Sequence, residues 1–274
     1  MKVTTLLENN ACRDGIAFAH GLSLYIETAK HKILFDMGPD EKFWENAEKL
    51  GIDLAQVDIA FLSHAHSDHA GGTAYFLQRN DKAKLYLQKE SFGEYFSLAG
   101  ETPRYIGVSE ELKALKDRMV LCEGTVEIDE ELSVFSGVEA KILPSGANAT
   151  LHMKENGEIR RDAFRHEQNL LIREGGKCAL FAGCAHNGIV NIMNRAEELA
   201  GKIDAVFAGF HLYNPSLKAS EPKDLVRAVG EKLCERGETR FVTGHCTGEE
   251  AYGWLGEILG ERIAYMAGGT SFEV

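Results

Sequence analysis

The sequence predicts a single α/β domain, because short strand-like segments alternate with amphipathic helices along its 274 residues. The apolar or alternating segments are mostly about four to eight residues long, which is the usual length of a strand. The second half of the chain repeats the texture of the first, and no linker or low-complexity tract separates them. Residues 1–274 are therefore expected to form one domain made of two similar halves.

Periodicity assigns the elements of the first half. Phe43, Ala47 and Leu50 share one face of a helix that Gly51 ends. The predicted strands are residues 1–8, 23–28, 32–36, 57–62 and 84–88, and the predicted helices are residues 42–50, 73–78 and 110–118. Residues 90–109 fit neither period and are expected to make a surface excursion with short helices.

The second half alternates in the same way. Its predicted strands are residues 119–122, 125–128, 132–136, 140–143, 205–210, 240–243 and 262–267, with a hairpin of residues 169–173 and 177–182. Its predicted helices are residues 189–200, 224–236 and 249–259. Residues 144–167 are polar and lack clear periodicity, so we expect a loop or hairpin that approaches a functional site.

Composition excludes several classes of partner. The chain is 44% hydrophobic and 26% charged, which is ordinary for a soluble globular protein. Its formal net charge of -12 disfavours nucleic acid and anionic membranes, since both bind basic surfaces. No segment resembles a signal peptide or reaches the length of a membrane span. The six cysteines form no CxxC pairs, which favours a reducing compartment and a cytoplasmic location.

Four side chains that can bind metals occupy six consecutive residues. His64, His66, Asp68 and His69 follow the predicted strand 57–62 and precede a glycine turn. If the strand ran on, alternation would place the first three on one face, and a tight loop would return the fourth. Neutral imidazoles and carboxylates are ligands of zinc and other first-row divalent metals. The alternative is a solvated, histidine-rich turn.

Further candidates stand where later strands end. His186, His211 and His245 are each close to a glycine at such a junction. Because strand-to-helix junctions gather at one edge of an open sheet, these histidines are expected to converge, although any of them could be structural. Cys184 is either a soft ligand, which would favour zinc or iron, or a small buried residue. Asp36 either orients a ligand or caps a helix.

These motifs resemble those of a known family. The stretch from His64 to His69 resembles the HxHxDH signature of the metallo-β-lactamase superfamily. The similar stretches His20-Gly-Leu-Ser, Phe35-Asp-Met-Gly, Gly183-Cys-Ala-His-Asn-Gly-Ile, Gly209-Phe-His-Leu and Gly244-His-Cys-Thr-Gly cover nearly the whole chain. Together they resemble the branch of dihydropterin-ribofuranosylaminobenzene phosphate synthase-like metal-dependent hydrolases. The resemblance implies a four-layer αβ/βα sandwich of two mixed β-sheets flanked by helices, with a metal site at one edge.

The resemblance also implies a ligand set. The first metal would be held by His64, His66 and His186, and the second by Asp68, His69 and His245. The carboxylate that commonly bridges the two metals has Cys184 in its place, so the bridge is either Cys184 or absent. One or two zinc ions are expected, with iron or manganese as alternatives. Members that use oxygen or nitric oxide usually have glutamate where this chain has His66, which favours hydrolysis.

These inferences predict a metal-dependent hydrolase that uses a metal-activated water on a small ester or phosphorylated substrate. Asp68 would move the proton of that water, and His211 would stabilise an oxyanion or a substrate phosphate. Arg160, Arg161 and Arg165 are further candidates for binding phosphate, or they form a solvated loop face.

Other functions fit the same residues. The branch also suggests a synthase or transferase that acts on a pterin-like phosphorylated substrate. A protein that only holds or senses a metal is a third candidate. An RNA-processing nuclease is disfavoured by the acidic charge balance.

Overall fold

Two seven-stranded mixed β-sheets form the centre of the structure, a computed structural model that describes residues 1–274. The strands are β1 (Lys2–Leu7), β2 (Ser23–Glu27), β3 (Lys32–Phe35), β4 (Ile59–Phe61), β5 (Lys84–Gln88), β6 (Glu94–Ser97), β7 (Arg104–Tyr105), β8 (Met119–Cys122), β9 (Thr125–Glu127), β10 (Leu132–Ser136), β11 (Leu151–Glu155), β12 (Glu158–Arg161), β13 (Gln168–Glu174), β14 (Lys177–Phe181), β15 (Ala205–Ala208), β16 (Tyr213–Asn214), β17 (Ala219–Ser220), β18 (Arg240–Thr243), β19 (Ile263–Tyr265) and β20 (Ser271–Glu273). The helices are α1 (Lys42–Lys49), α2 (Ser67–Ala70), α3 (Thr73–Arg79), α4 (Glu110–Lys113), α5 (Ile189–Ala200), α6 (Lys223–Cys234) and α7 (Glu249–Leu259).

Each large sheet is antiparallel on one side and parallel on the other. The first has the order β20-β1-β2-β3-β4-β5-β8, and its pairs are parallel from β3 onward. The second has the order β19-β18-β15-β14-β13-β10-β9, and its pairs are parallel from β14 to β19. The parallel strands β3, β4, β14, β15 and β18 therefore bring their carboxyl ends to the rim of the fold.

Buried side chains divide the structure into layers. Between the sheets, Phe35 stacks on Phe61 at 5.2 Å and Phe181 stacks on Phe207 at 4.9 Å. A second core packs α1 and α3 against the first sheet, and a third packs α5, α6 and α7 against the second. The order helix, sheet, sheet, helix confirms the four-layer sandwich. No helix is both long enough and apolar enough to span a bilayer.

A smaller sheet of the order β12-β11-β6-β7 corrects the prediction for residues 90–109. That segment contains β6 and β7 rather than mainly short helices. Its partner β11 lies in residues 144–167, where β11 and β12 form a hairpin, one of the two predicted alternatives. Because β6 and β11 are far apart in sequence, neither segment carried a local sign of this pairing.

Three strand predictions need correction. Residues 140–143 form no strand, because the backbone N–H and C=O of Ile142 both pair with the side chain of Asn191 instead of a neighbouring strand. The predicted strand 262–267 is shorter, and a further strand, β20, follows it and pairs with β1. The strand that leads into the histidine motif is only β4, three residues long.

Candidate metal centre

The predicted metal ligands lie together at the rim where parallel strands of both large sheets end. β4 leads into His64, β14 leads into Cys184, and β18 ends just before His245. Residues that are far apart in the sequence therefore meet in one place, as the carboxyl ends of parallel strands allow. The structure brings together all seven predicted ligands: His64, His66, Asp68, His69, Cys184, His186 and His245.

The backbone of the histidine motif differs from the predicted continuation of a strand. His66 has extended backbone (φ -73°, ψ 143°) and precedes α2, a single helical turn that contains Asp68 and His69. The alternation argument therefore holds for His64 and His66 but not for Asp68. The helical turn instead directs Asp68 and His69 toward His245.

Backbone strain is concentrated at the same rim. Eight residues other than glycine have positive φ, and four of them are Asp36, Ala185, His211 and His245. Such conformations cost about 1–3 kcal/mol each and persist where the surrounding structure enforces them, often at functional sites. The rim therefore has the strained backbone that is typical of a functional site.

His64, His66 and His186 form what we call the imidazole cluster. Their ring centroids are 4.7 to 4.9 Å apart. Burial lowers the pKa of all three, so the rings are neutral at physiological pH. The Nε2 atoms of His64 and His186 are buried without a hydrogen-bond partner. Buried polar atoms are rarely left unpaired, and a divalent cation would satisfy both.

Asp68, His69 and His245 form what we call the carboxylate cluster. His69 Nε2 lies 3.1 Å from His245 Nε2, and Asp68 Oδ2 lies 3.3 Å from His245 Nε2. Burial opposes a charge on His245, but the Asp68 carboxylate raises its pKa to about 9. Burial alone would raise the pKa of Asp68, yet the neighbouring imidazoles hold it well below its usual range. The donor set fits a divalent cation, which would replace the shared proton.

Cys184 lies between the two clusters. Its Sγ is 3.2 Å from His69 Nε2, and its donor atom lies within 4.8 Å of those of His64 and His186. Burial raises its pKa, so the free thiol stays protonated until a cation displaces the proton. The position is that of a bridging group, and bridging remains a proposal for this thiol.

Hydrogen bonds at Nδ1 fix the tautomer of four rings. The acceptors are Ser63 Oγ for His64 (2.9 Å), Asp36 Oδ2 for His69 (2.6 Å), Asn148 Oδ1 for His186 (2.8 Å) and Asn9 Oδ1 for His245 (2.9 Å). Ser63 donates its own proton to Asp36, so its oxygen accepts from His64. Each ring then donates from Nδ1, which makes Nε2 the nitrogen available to a metal, and on His245 the metal would displace the proton shared with Asp68.

Asp36 orients a candidate ligand rather than capping a helix. It is fully buried and accepts hydrogen bonds from the Ser63 backbone at 2.7 Å, from Ser63 Oγ at 2.7 Å and from His69. The sequence signal for this role was a polar residue directly after a strand. Asn9 follows β1 in the same way and was missed, whereas Asn148 lies in the segment without periodicity and carried no signal.

Asp162 was also missed, and it faces the imidazole cluster from the segment 144–167. Its Oδ2 lies 3.8 Å from His66 Nε2 and accepts a hydrogen bond from His166 Nε2 at 3.0 Å. The Nδ1 of His166 accepts from the backbone of Ala65 at 3.1 Å, which assigns the proton to Nε2. The Nε2 of His66 has no hydrogen-bond partner, so Asp162 acts on this ring through its negative charge at 3.8 Å.

Asp162→Asn should therefore weaken the binding of the first metal ion by about ten- to a hundredfold, since a neutral amide holds His66 less firmly than a carboxylate does. Competition with a chromophoric zinc chelator measures this affinity directly. Asp117→Asn, a change at an exposed carboxyl, is the matched control and should have no effect. Equal affinity of the Asp162 variant and wild type would contradict the role.

His211 and the predicted arginines have different outcomes. His211 lines the cavity beside the clusters, its ring is 4.2 Å from that of His186, and neither nitrogen has a partner. Arg160 and Arg165 are exposed and form ion pairs with Glu155. Arg161 is exposed and donates to the carbonyl of Ala149. None of the three arginines lines the cavity, so the solvated loop face describes them better than the phosphate site does.

Cys246 is another cavity residue that sequence reasoning missed. It lines the cavity, and its donor atom lies within 4.8 Å of those of Cys184 and His211. Its position directly after His245 at a strand end was the available signal.

Comparisons with known proteins found similar sequences and a similar fold. A family model described as the metallo-beta-lactamase superfamily matches residues 17–120. The chain is 29% identical to the 7,8-dihydropterin-6-methyl-4-(beta-D-ribofuranosyl)-aminobenzene-5'-phosphate synthase of Methanocaldococcus jannaschii. That alignment covers 98% of this chain and 95% of the relative.

Solved structures show the same architecture. The crystal structure of Tm1679, described as a metal-dependent hydrolase of the beta-lactamase superfamily, is 30% identical, with a TM-score of 0.82. That match covers 100% of this chain and 99% of the other. Zinc-bound PqqB from Methylobacterium extorquens, 11% identical over 100% of both chains, has a TM-score of 0.60 and shares the fold.

Proposed function

Because the chain belongs to the metallo-β-lactamase superfamily, we propose that it is a metal-dependent hydrolase of a small ester or phosphorylated molecule. The observation that carries the proposal is the meeting of seven donor side chains from three strand ends at one rim, beside an open cavity. One or two divalent ions, with zinc the first choice, would be held by the imidazole and carboxylate clusters. A bound divalent cation supplies Lewis acidity and lowers the pKa of water to about 7.

Asp68 is the proposed proton carrier. Its low pKa keeps it ionised at neutral pH, and its carboxylate lines the cavity. It lies 3.4 Å from His20 and 3.3 Å from His245. Asp68 could therefore share a proton taken from water with either imidazole. It can return that proton to the leaving group.

His211 is the proposed stabiliser of developing negative charge. Its two ring nitrogens have no protein partner although the residue is only 5% exposed. Its position on the cavity wall lets an N–H donate to a substrate oxygen. A donor that is already oriented costs no reorganisation during the reaction, which is why such groups contribute strongly to catalysis.

Hydrolysis of generic substrates by the zinc-loaded protein tests the proposal. We expect 4-nitrophenyl acetate or bis(4-nitrophenyl) phosphate to be turned over, and turnover to disappear after chelation and return with zinc. His186→Ala should abolish it by removing a ligand. His152→Ala changes an imidazole whose only hydrogen bond is to the carbonyl of Thr150 and should leave it unchanged. No turnover of either substrate by a fully zinc-loaded protein would contradict hydrolysis.

A synthase or transferase that acts on a pterin-like phosphorylated substrate is the second candidate. The observation that favours it is the alignment with the synthase from Methanocaldococcus jannaschii over nearly the full length of both chains. The two candidates separate in the same assay, because a strict synthase should be inert to both generic substrates.

A further inference from the structure

One wall of the cavity is a row of side chains across the four-stranded sheet. Arg104 of β7 is the cross-strand partner of Ser97 of β6, and Ser97 is in turn the partner of Leu151 of β11. Cross-strand partners project from the same face of a sheet, about 5 Å apart. All three line the cavity that also contains Asp68 and His186, so this face of the sheet looks toward the metal clusters.

Arg104 carries a positive charge without a protein partner. It is the only lysine or arginine that lines the cavity. It takes part in none of the ion pairs or side-chain hydrogen bonds of the structure. Arg160, by contrast, is paired with two carboxylates. In a chain of net charge -12, a free guanidinium beside the cavity is a ready partner for an anion, and its planar donors match phosphate oxygens.

Two hydroxyl groups extend the donor set. Thr150 Oγ1 accepts a hydrogen bond from Asn214 Nδ2 at 3.2 Å, which leaves its own proton free to donate into the cavity that it lines. Ser97 lines the cavity beside Arg104 and is only 5% exposed. A guanidinium and two hydroxyls offer more hydrogen-bond donors than the two oxygens of a carboxylate can readily accept. These donors suit the three terminal oxygens of a phosphate monoester.

The backbone of Arg104 is offset along the sheet from the histidine motif. The carbonyl of Ile106 accepts a hydrogen bond from the Ser67 backbone in the histidine motif at 2.7 Å. Arg104 lies two residues before Ile106, and in extended backbone this moves it about 7 Å along the sheet. An anion bound there would be a part of the substrate distant from the bond that reacts.

We propose that Arg104, Ser97 and Thr150 bind a terminal phosphate monoester of the substrate and so position the remainder of the molecule at the metal clusters. The proposal rests on the proposed function, because it assigns the non-reacting end of the same substrate. Arg104 would provide the positive charge, and the hydroxyls of Ser97 and Thr150 would orient the phosphate through hydrogen bonds.

Calorimetric titration of the zinc-loaded protein with ribose 5-phosphate tests the site. Arg104→Gln should raise the dissociation constant at least tenfold, Ser97→Ala should raise it less, and Arg104→Lys should recover part of the loss. The zinc content of all variants should equal that of wild type. Arg160→Gln, which removes an exposed arginine outside the cavity, should bind as wild type does.

Several outcomes would overturn the site. Unchanged affinity in Arg104→Gln would place the phosphate elsewhere, and loss of binding on chelation in every variant would place it on the metals. The assignment to phosphate would fail if ribose, which is neutral, or ribonate, which carries a carboxylate, bound as tightly as ribose 5-phosphate. Failure of the hydrolase proposal is a different result: generic esters would not react, while ribose 5-phosphate would still bind in a manner that depends on Arg104.

Discussion

Asp68→Ala is expected to lower kcat/KM by about three orders of magnitude or more while the imidazole cluster keeps its ion. A positioned acid or base contributes about 10²- to 10⁴-fold to a rate, and Asp68 is also the only carboxylate of its cluster. Its removal eliminates the proton carrier and at the same time weakens the binding of the second metal ion. The imidazole cluster is expected to hold its ion because its three rings do not depend on Asp68 for their orientation.

Steady-state kinetics on 4-nitrophenyl acetate and elemental analysis of the same preparation measure the two effects. Asp68→Asn keeps the shape of the side chain and should lose nearly as much activity, because an amide cannot take up the proton. Asp81→Ala removes an exposed carboxylate and serves as the control. If the Asp68→Ala protein retained both ions and full turnover, Asp68 would have no catalytic role.

Gly72→Ala is expected to lower the free energy of unfolding by about 3 kcal/mol or more, which is at the upper end for overpacking. An added Cβ would overlap the carbonyl oxygen of Met37, and it would lie 2.6 Å from a ring carbon of Phe43 and 2.9 Å from the carbonyl of Asp40. Backbone oxygens cannot turn aside as the end of a side chain can. Relief of the clash must therefore move the loop that follows β3.

That loop is joined to the histidine motif. The backbone N–H of Met37 donates to the carbonyl of His69 at 2.8 Å, and the N–H of Gly72 donates to the carbonyl of Gly38 at 3.1 Å. The variant should therefore also bind zinc more weakly at the carboxylate cluster. Urea denaturation measures the stability, and chelator competition measures the affinity.

Gly256→Ala provides a control of opposite sign. Gly256 lies inside α7, where an added Cβ would meet nothing within 4 Å. Alanine should raise the stability there by up to about 1 kcal/mol, because it restricts the unfolded chain and favours the helix. Equal effects at the two positions would contradict the argument from close backbone approach.

The sequence predicted most of the fold because its strands and helices follow local periods. β5, β8, β10 and α5 have the predicted bounds. The strand β6 was missed because it pairs with β11, more than fifty residues away, and β7 pairs only with β6. Residues 140–143 had the apolar texture of a strand, but Asn191 takes the hydrogen bonds of Ile142.

At the candidate site, the sequence indicated the candidate metal ligands but not their hydrogen-bond partners. Side chains that can bind a metal and stand at strand ends, such as His186 and His245, are recognisable because their chemistry and their place in the sequence point the same way. Their hydrogen-bond partners Asn9 and Asn148 do not stand out, since a single contact between distant segments leaves no pattern. The arginines showed the reverse. The arginines at residues 160–165 were candidates for binding phosphate but do not line the cavity, whereas the isolated Arg104 does.

The segment 144–167 contacts both the imidazole cluster and the cavity. It holds His186 through Asn148 and faces His66 through Asp162, and its Thr150 and Leu151 form part of the cavity wall. A molecule bound on this wall would contact the same segment that positions the two imidazoles. If binding there orders this segment, occupancy of either place raises the affinity of the other, and thermodynamic reciprocity makes the two factors equal. The hairpin would thereby make cation and substrate cooperative ligands of one another.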